Sequence, residues 1–205
     1  MPKGLKCKMK RIVTAMLIAL SALGITMQYA HGVSADLKNS VYRLHVIANS
    51  DSEPDQALKL KVRDRIIKEL EVLLDEDATL KQTKKVAEEN LKQLCLAATD
   101  EVKNNGYDYP ITVQSGSFYF PTKTYGDVAL PKGKYDGLQV IIGSGNGQNW
   151  WCVLYPNLCF VDGVVSMPED SKAKLGEGLS EKELEMINAP GGKVKLKFKI
   201  LEIFD

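Results

Sequence analysis

The sequence predicts an α+β fold, with two N-terminal amphipathic helices packed on a mostly antiparallel sheet in one folded domain. Two observations carry this expectation. Apolar residues recur at helical spacing from about 52 to 104, and they alternate at strand spacing over 41–47 and again beyond 107. Helical and strand patterns that fall in separate stretches indicate an α+β arrangement rather than βαβ repeats.

Ahead of this domain, Lys3, Lys6, Lys8, Lys10 and Arg11 stand without an acidic residue and lead into an uncharged, mostly apolar run, Ile12 to Ile25. That order is the one a secretory signal uses. The run is about 14 residues, short of the roughly 20 that span a bilayer as a helix, so a cleaved signal peptide over 1–35 is expected rather than an anchor. Val33 and Ala35 offer small residues for cleavage after Ala35, with Ala30 a weaker alternative. The exported domain is then 36–205. It keeps 22 of the 27 Lys and Arg and all 26 Asp and Glu, a net charge of −4. Such a balance offers no cationic surface for nucleic acid.

Residues 41–47, VYRLHVI, read as the first strand, with Tyr42, Leu44 and Val46 on one side and Arg43 and His45 on the other. Asn49 to Ser52 then turn the chain. Ser52 and Asp55 have capping-box spacing, and Pro54 is tolerated in a first turn, so a helix begins here. Its stripe is Leu58, Val62, Ile66, Leu70 and Leu73; Lys59, Lys61, Arg63, Asp64 and Arg65 are expected mostly to face water. A second helix opens near Thr79, with Gln82 at the matching capping position, and runs to Asn104-Asn105-Gly106, with Ala87, Leu91, Leu94, Cys95, Ala98 and Val102 inward.

Strands follow at YPITVQSGSFYF, GLQVIIG and WWCVLY, the first two separated by a connection through Gly126, Pro131 and Gly133. Residues 162–180 read as loop, and a short helix is expected from Ser180 to Asn188. The last segment, KVKLKFKILEIF, alternates lysine with apolar residues as a one-sided edge strand does.

Candidate chemistry is sparse. Gly143 to Gly147 follow an apolar strand, but strand rather than helix comes next and no P-loop lysine is present, so a hairpin turn is expected and no nucleotide. Two histidines, His31 and His45, match no zinc spacing, and Asp51, Asp55 and Asp64 lack the pattern of a calcium loop, so neither metal nor cofactor is expected. Cys152 and Cys159 flank Tyr155-Pro156-Asn157 and are either a disulfide across a bend or two small core residues. As a free thiol, either would be the one nucleophile to pair with His45 and Asp51 in a cell-wall hydrolase. Trp150 and Trp151 point to opposite faces, leaving one free as an anchor for a partner or a glycan.

Two long blocks decide the reading: RLHVIANSDSEPDQALKLKVRD at 43–64 and FPTKTYGDVALPKGKYDGLQVIIGSGNGQNWWCVLYPNLCFVD at 120–162. With the N-terminal signal, they resemble the stage II sporulation protein R family of endospore-forming bacteria. Lys132, Gln139 and Asn157 depart from the family's pattern of a small residue, an arginine and a second proline. The resemblance implies a secreted signalling protein without catalytic residues or a small-molecule substrate. It would leave the forespore, enter the space between forespore and mother-cell membranes, and touch a membrane only through its signal peptide. Its partner there would be the membrane-embedded aspartic protease that processes pro-sigma-E. Arg43, His45, Asn49, Asp51 and Trp150 are the expected partner-binding residues, although Asn49 and Ser52 also suit plain turning and capping roles.

Overall fold

The computed structural model describes residues 3–75, 77–125, 128–156, 159, 169–177, 179, 184 and 187. The expected final strand, 193–204, lies outside them, as does most of the helix expected over 180–188, of which residues 184 and 187 are helical. The chain divides into two compact units, Met1–Leu37 and Lys38–Asp205.

Helix α1 (Lys3–Asn39) takes up the described part of the first unit and runs on through Ala35, because neither proline nor glycine interrupts Val33 to Asn39. Ile12, Val13, Met16, Leu17, Ile18, Leu20, Leu23 and Ile25 are each more than half exposed. No helix among the described residues is long and apolar enough to cross a membrane.

In the second unit, β1 (Tyr42–Ile47) leads to α2 (Glu53–Leu73), α3 (Leu80–Glu89) and α4 (Leu91–Asn104). Five further strands follow: β2 (Ile111–Phe120), β3 (Lys123–Tyr125), β4 (Val128–Leu130), β5 (Gly133–Ile142) and β6 (Asn149–Tyr155). A short α5 (Glu169–Gly176) comes after them, where the sequence reads as loop. The four-stranded sheet has the order β2-β5-β1-β6, and β3 and β4 make a separate hairpin. Its β2–β5 and β1–β6 pairs are antiparallel, and β1 with β5 is parallel. The three helices and β2 between β1 and β5 supply the long crossover that a parallel pair needs. The α+β class with a mostly antiparallel sheet is borne out.

Both predicted N-terminal caps form. The Ser52 hydroxyl accepts from the Asp55 N–H with Pro54 in the first turn, and Thr79 and Gln82 complete a reciprocal capping box. The second predicted helix is two. Asn90, with φ −110° and ψ 18°, ends α3 and begins α4, and its Nδ2 donates to the Val86 carbonyl at 2.8 Å. The apolar stripe continues across that break, so periodicity alone did not reveal it.

The core lies between helices and sheet. Tyr42, Leu44, Val46, Leu138, Val140, Ile142 and Cys152 meet Leu58, Val62, Ile66, Leu70, Ala87, Leu94, Ala98 and Val102 there. Each large aliphatic side chain buried this way contributes about 1.5–3 kcal/mol. Lys59 corrects an expectation: it is buried beside the stripe instead of facing water, because its ammonium donates to Gln56 Oε1 at 2.6 Å and to the Gln148 carbonyl at 3.0 Å.

Candidate functional site

β1 lies between β5 and β6, and its residues from Tyr42 to Val46 are buried on both faces of the sheet. Arg43 and His45 lie on the face opposite the helices, with 0% and 6% exposure. This corrects the expectation that they present themselves to a receptor. Alternation with apolar residues places them on the second face, and chain segments far away in sequence bury that face. The Arg43 guanidinium stacks 4.2 Å from the Phe120 ring centroid and 4.9 Å from that of Tyr135, and its Nη2 donates to the Tyr125 hydroxyl at 3.0 Å. Gly137 keeps this layer closed: a Cβ there would stand 2.6 Å from the Arg43 carbonyl oxygen and 3.2 Å from the Phe120 ring.

His45 stacks on Trp151 at 3.7 Å between centroids, and Gln139 Nε2 lies 3.0 Å from its Nδ1. Gln139 Oε1 accepts from Gln114 Nε2 at 2.6 Å, which turns the Gln139 amide N–H toward Nδ1, an arrangement that fits the neutral imidazole. Burial, with the Arg43 charge in support, lowers its pKa from the ordinary value, against the opposing effect of the Asn149 side chain.

Asn49 and Asp51 are tied into a polar clasp. Asn49 Oδ1 accepts from the Ser144 N–H at 3.0 Å, the Asn49 carbonyl accepts from the Ser144 hydroxyl at 2.8 Å, and Asp51 Oδ1 accepts from the Gln148 N–H at 2.7 Å. Beneath them, Asp55 accepts from the Ser50 hydroxyl at 2.6 Å and from Asn49 Nδ2 at 2.9 Å. The Ser50 bond first, then those of Asn49, Tyr109 and Ser52, hold Asp55 below the ordinary carboxylate range against the effect of burial. Glycine is required in the facing turn. A Cβ on Gly147 would overlap the Ser50 carbonyl, and Gly143 combines φ +59° with a Cβ direction that meets Asn49 Oδ1. Thus the loop after β1 and the turn after β5 form one rigid polar surface, with Asp51, Ser144, Asn146 and Gln148 exposed on it. Asp55 read as a cap alone and the glycines as a flexible hairpin; their joint role needs two segments more than 80 residues apart.

Trp150 is half-buried on the helix side, with the Arg63 guanidinium 4.2 Å from its ring centroid, and Trp151 is half-buried under His45. Neither stands free as a flat glycan platform. Cys152 and Cys159 are joined as a disulfide, with Cα atoms 5.1 Å apart. A disulfide sulfur is no thiolate nucleophile. His45 also pairs with Trp151, one residue from Cys152 along β6 and hence on the other face. No group of three His, Cys, Asp or Glu among the described residues is placed to hold a metal ion.

The family model for stage II sporulation protein R matches residues 38–165, the span from the approach to β1 to just beyond β6. Stage II sporulation protein R of Bacillus subtilis (strain 168) is 33% identical over 174 residues, which cover 83% of this chain and 77% of that protein. No solved structure matches. The residues of the sheet, the polar clasp and the enclosed Arg43 all fall inside the matched span, and the chain belongs to the stage II sporulation protein R family.

Proposed function

We propose that this protein is an exported signal of endospore formation, which leaves the forespore and activates the membrane-embedded aspartic protease that processes pro-sigma-E. The observation that carries this reading is the family match across the folded unit. The leader, with five cations ahead of an apolar run, supports passage across a membrane. On this reading the protein acts by contact, and Cys152 and Cys159, the nucleophiles a hydrolase would use, are held as a disulfide. Its contact surface is the rim of the polar clasp, Asp51, Ser144, Asn146 and Gln148, because rigidly held loops bind without a large ordering cost. Arg43 and His45 lie off that surface, enclosed on the face of β1 away from the helices, and Trp150 packs against Arg63 on the helix side.

The test mixes the purified protein with membranes that contain the protease and pro-sigma-E and follows substrate cleavage. Wild type triggers cleavage. The double variant Asn146→Lys, Gln148→Lys keeps its circular dichroism spectrum and loses at least tenfold in activating potency. Absence of cleavage with wild type overturns the signalling role, and full potency of the folded variant overturns the assigned surface.

A further inference from the structure

One row of polar side chains crosses three strands on the face of the sheet away from the helices. In the ladders, Gln114 of β2 stands opposite Gln139 of β5, and Gln139 stands opposite His45 of β1. Residues opposite one another in paired strands project on the same face, so the three side chains meet in line. Gln114 Nε2 donates to Gln139 Oε1 at 2.6 Å, and Gln139 Nε2 lies 3.0 Å from His45 Nδ1. The row starts in the core and ends at the surface. His45 is buried, Gln139 is half-buried, and Gln114 is exposed on β2, an end strand of the four-stranded sheet.

Such a row has a direction, because a primary amide donates at one end and accepts at the other. With Nδ1 accepting, Gln139 turns its N–H toward His45 and its carbonyl toward Gln114. Gln114 then spends its own N–H on that carbonyl and leaves its Oε1 at the surface. Protonated imidazole carries N–H on both nitrogens. Nδ1–H would face the Gln139 N–H across 3.0 Å, donor against donor. Turning the Gln139 amide about removes the clash: Oε1 accepts a charge-assisted bond from the imidazolium, and the two ends of an amide are nearly equal in size. That turn confronts Gln114 with the same mismatch at 2.6 Å, so Gln114 turns as well.

We propose that Gln114, Gln139 and His45 form a proton-driven relay, which shows a carbonyl at the surface of β2 while His45 is neutral and an amide N–H once it is charged. One proton is taken from solvent at Nδ1, and no bond between heavy atoms changes. The surroundings set where the relay turns. Among the described residues, the charged and titratable groups on this face of the buried layer are Arg43 on β1, Tyr125 on β3 and Tyr135 on β5. Burial raises both phenols, Tyr135 to about 12, so neither supplies an anion to hold the imidazolium. Burial of His45, with Arg43 in support and the Asn149 side chain opposed, places the transition below the ordinary value of about 6.5. The relay is therefore at rest at neutral pH and turns in acid. A partner that donates to Gln114 Oε1 is held above the transition and refused below it. This inference goes beyond the signalling role and does not depend on it.

The full-length protein, labelled with ¹⁵N, is titrated by NMR from about pH 7.5 to about pH 4.5, following the His45 imidazole and the side-chain amides of Gln139 and Gln114. Wild type shows a step in the Gln114 amide signal with the same midpoint as His45. Gln139→Met keeps the His45 titration and loses the step at Gln114, which separates the relay from a charge felt through space. His45→Phe loses the step at both amides. A Gln114 amide that stays flat while His45 titrates, a Gln114 step that survives in either variant, or an imidazole that stays neutral until the fold is lost overturns the proposal. If Gln139→Met fails to fold, wild type and His45→Phe decide between them.

Discussion

At the scale of single residues, burial decides what each titratable group does. His45 is the clearest case. Unfolded, its imidazole takes a proton near pH 6.5; folded, it resists, because the Trp151 stack excludes water and Arg43 repels a second cation. With the folded pKa below the unfolded one, the unfolded state binds more protons between the two values. Stability is therefore full above about pH 6.5, is lost as pH falls below it, and levels off once the folded imidazole protonates. Tm measured from pH 7.5 down to pH 5 is expected to fall more steeply for wild type than for His45→Phe, which keeps the stack and cannot titrate. Parallel slopes would show that other groups dominate this window. None of this was legible in the sequence, where Arg43 and His45 alternate with Tyr42, Leu44 and Val46 as the polar face of a half-exposed strand would. Phe120, Tyr125, Tyr135 and Trp151, which enclose them, are scattered over more than 30 positions, and no local pattern joins them.

At the scale of elements, local chemistry was a good guide wherever a side chain bonds to its own segment. Ser52 and Thr79 start their helices because their hydroxyls accept from backbone N–H groups three residues on, an arrangement contained in four residues. Thr79→Ala removes the reciprocal box and is expected to cost about 1 kcal/mol, read as a lower denaturant midpoint at unchanged m. An unaltered midpoint would show α3 to be held by packing alone. Elements that lack such a signature were missed. β3 and β4 are three residues each, too short for strand alternation to register, and α5 sits in a stretch whose glycines and proline read as loop. The cysteine pair was legible only as a choice between a bridge and two buried thiols; the bond depends on how the turn after β6 folds back.

At the scale of the whole molecule, the proposed export role gives the N-terminal segment and the folded unit separate tasks. The eight apolar residues of Ile12–Ile25 that are more than half exposed leave α1 with an uncovered apolar surface, which suits a segment that engages a translocation machinery. Leu17→Lys with Leu20→Lys is expected to hold the chain inside the producing cell, checked by fractionation. Mass of the wild-type exported product is expected to show a start at Asp36. Export of the double-lysine variant at wild-type level would remove the leader's assigned role. By itself the sequence determined the α+β class and the two capped helix starts, which rest on residue type and short-range spacing, and its blocks at 43–64 and 120–162 carried the resemblance to the family. Tertiary structure alone decided that β1 is central and parallel to β5, that Arg43 is enclosed against Phe120, Tyr125 and Tyr135, and that Asn49 and Asp51 clasp the turn after β5. The physical reason is common to all three: whether a side chain meets water, a ring or another loop is set by segments that only folding brings beside it.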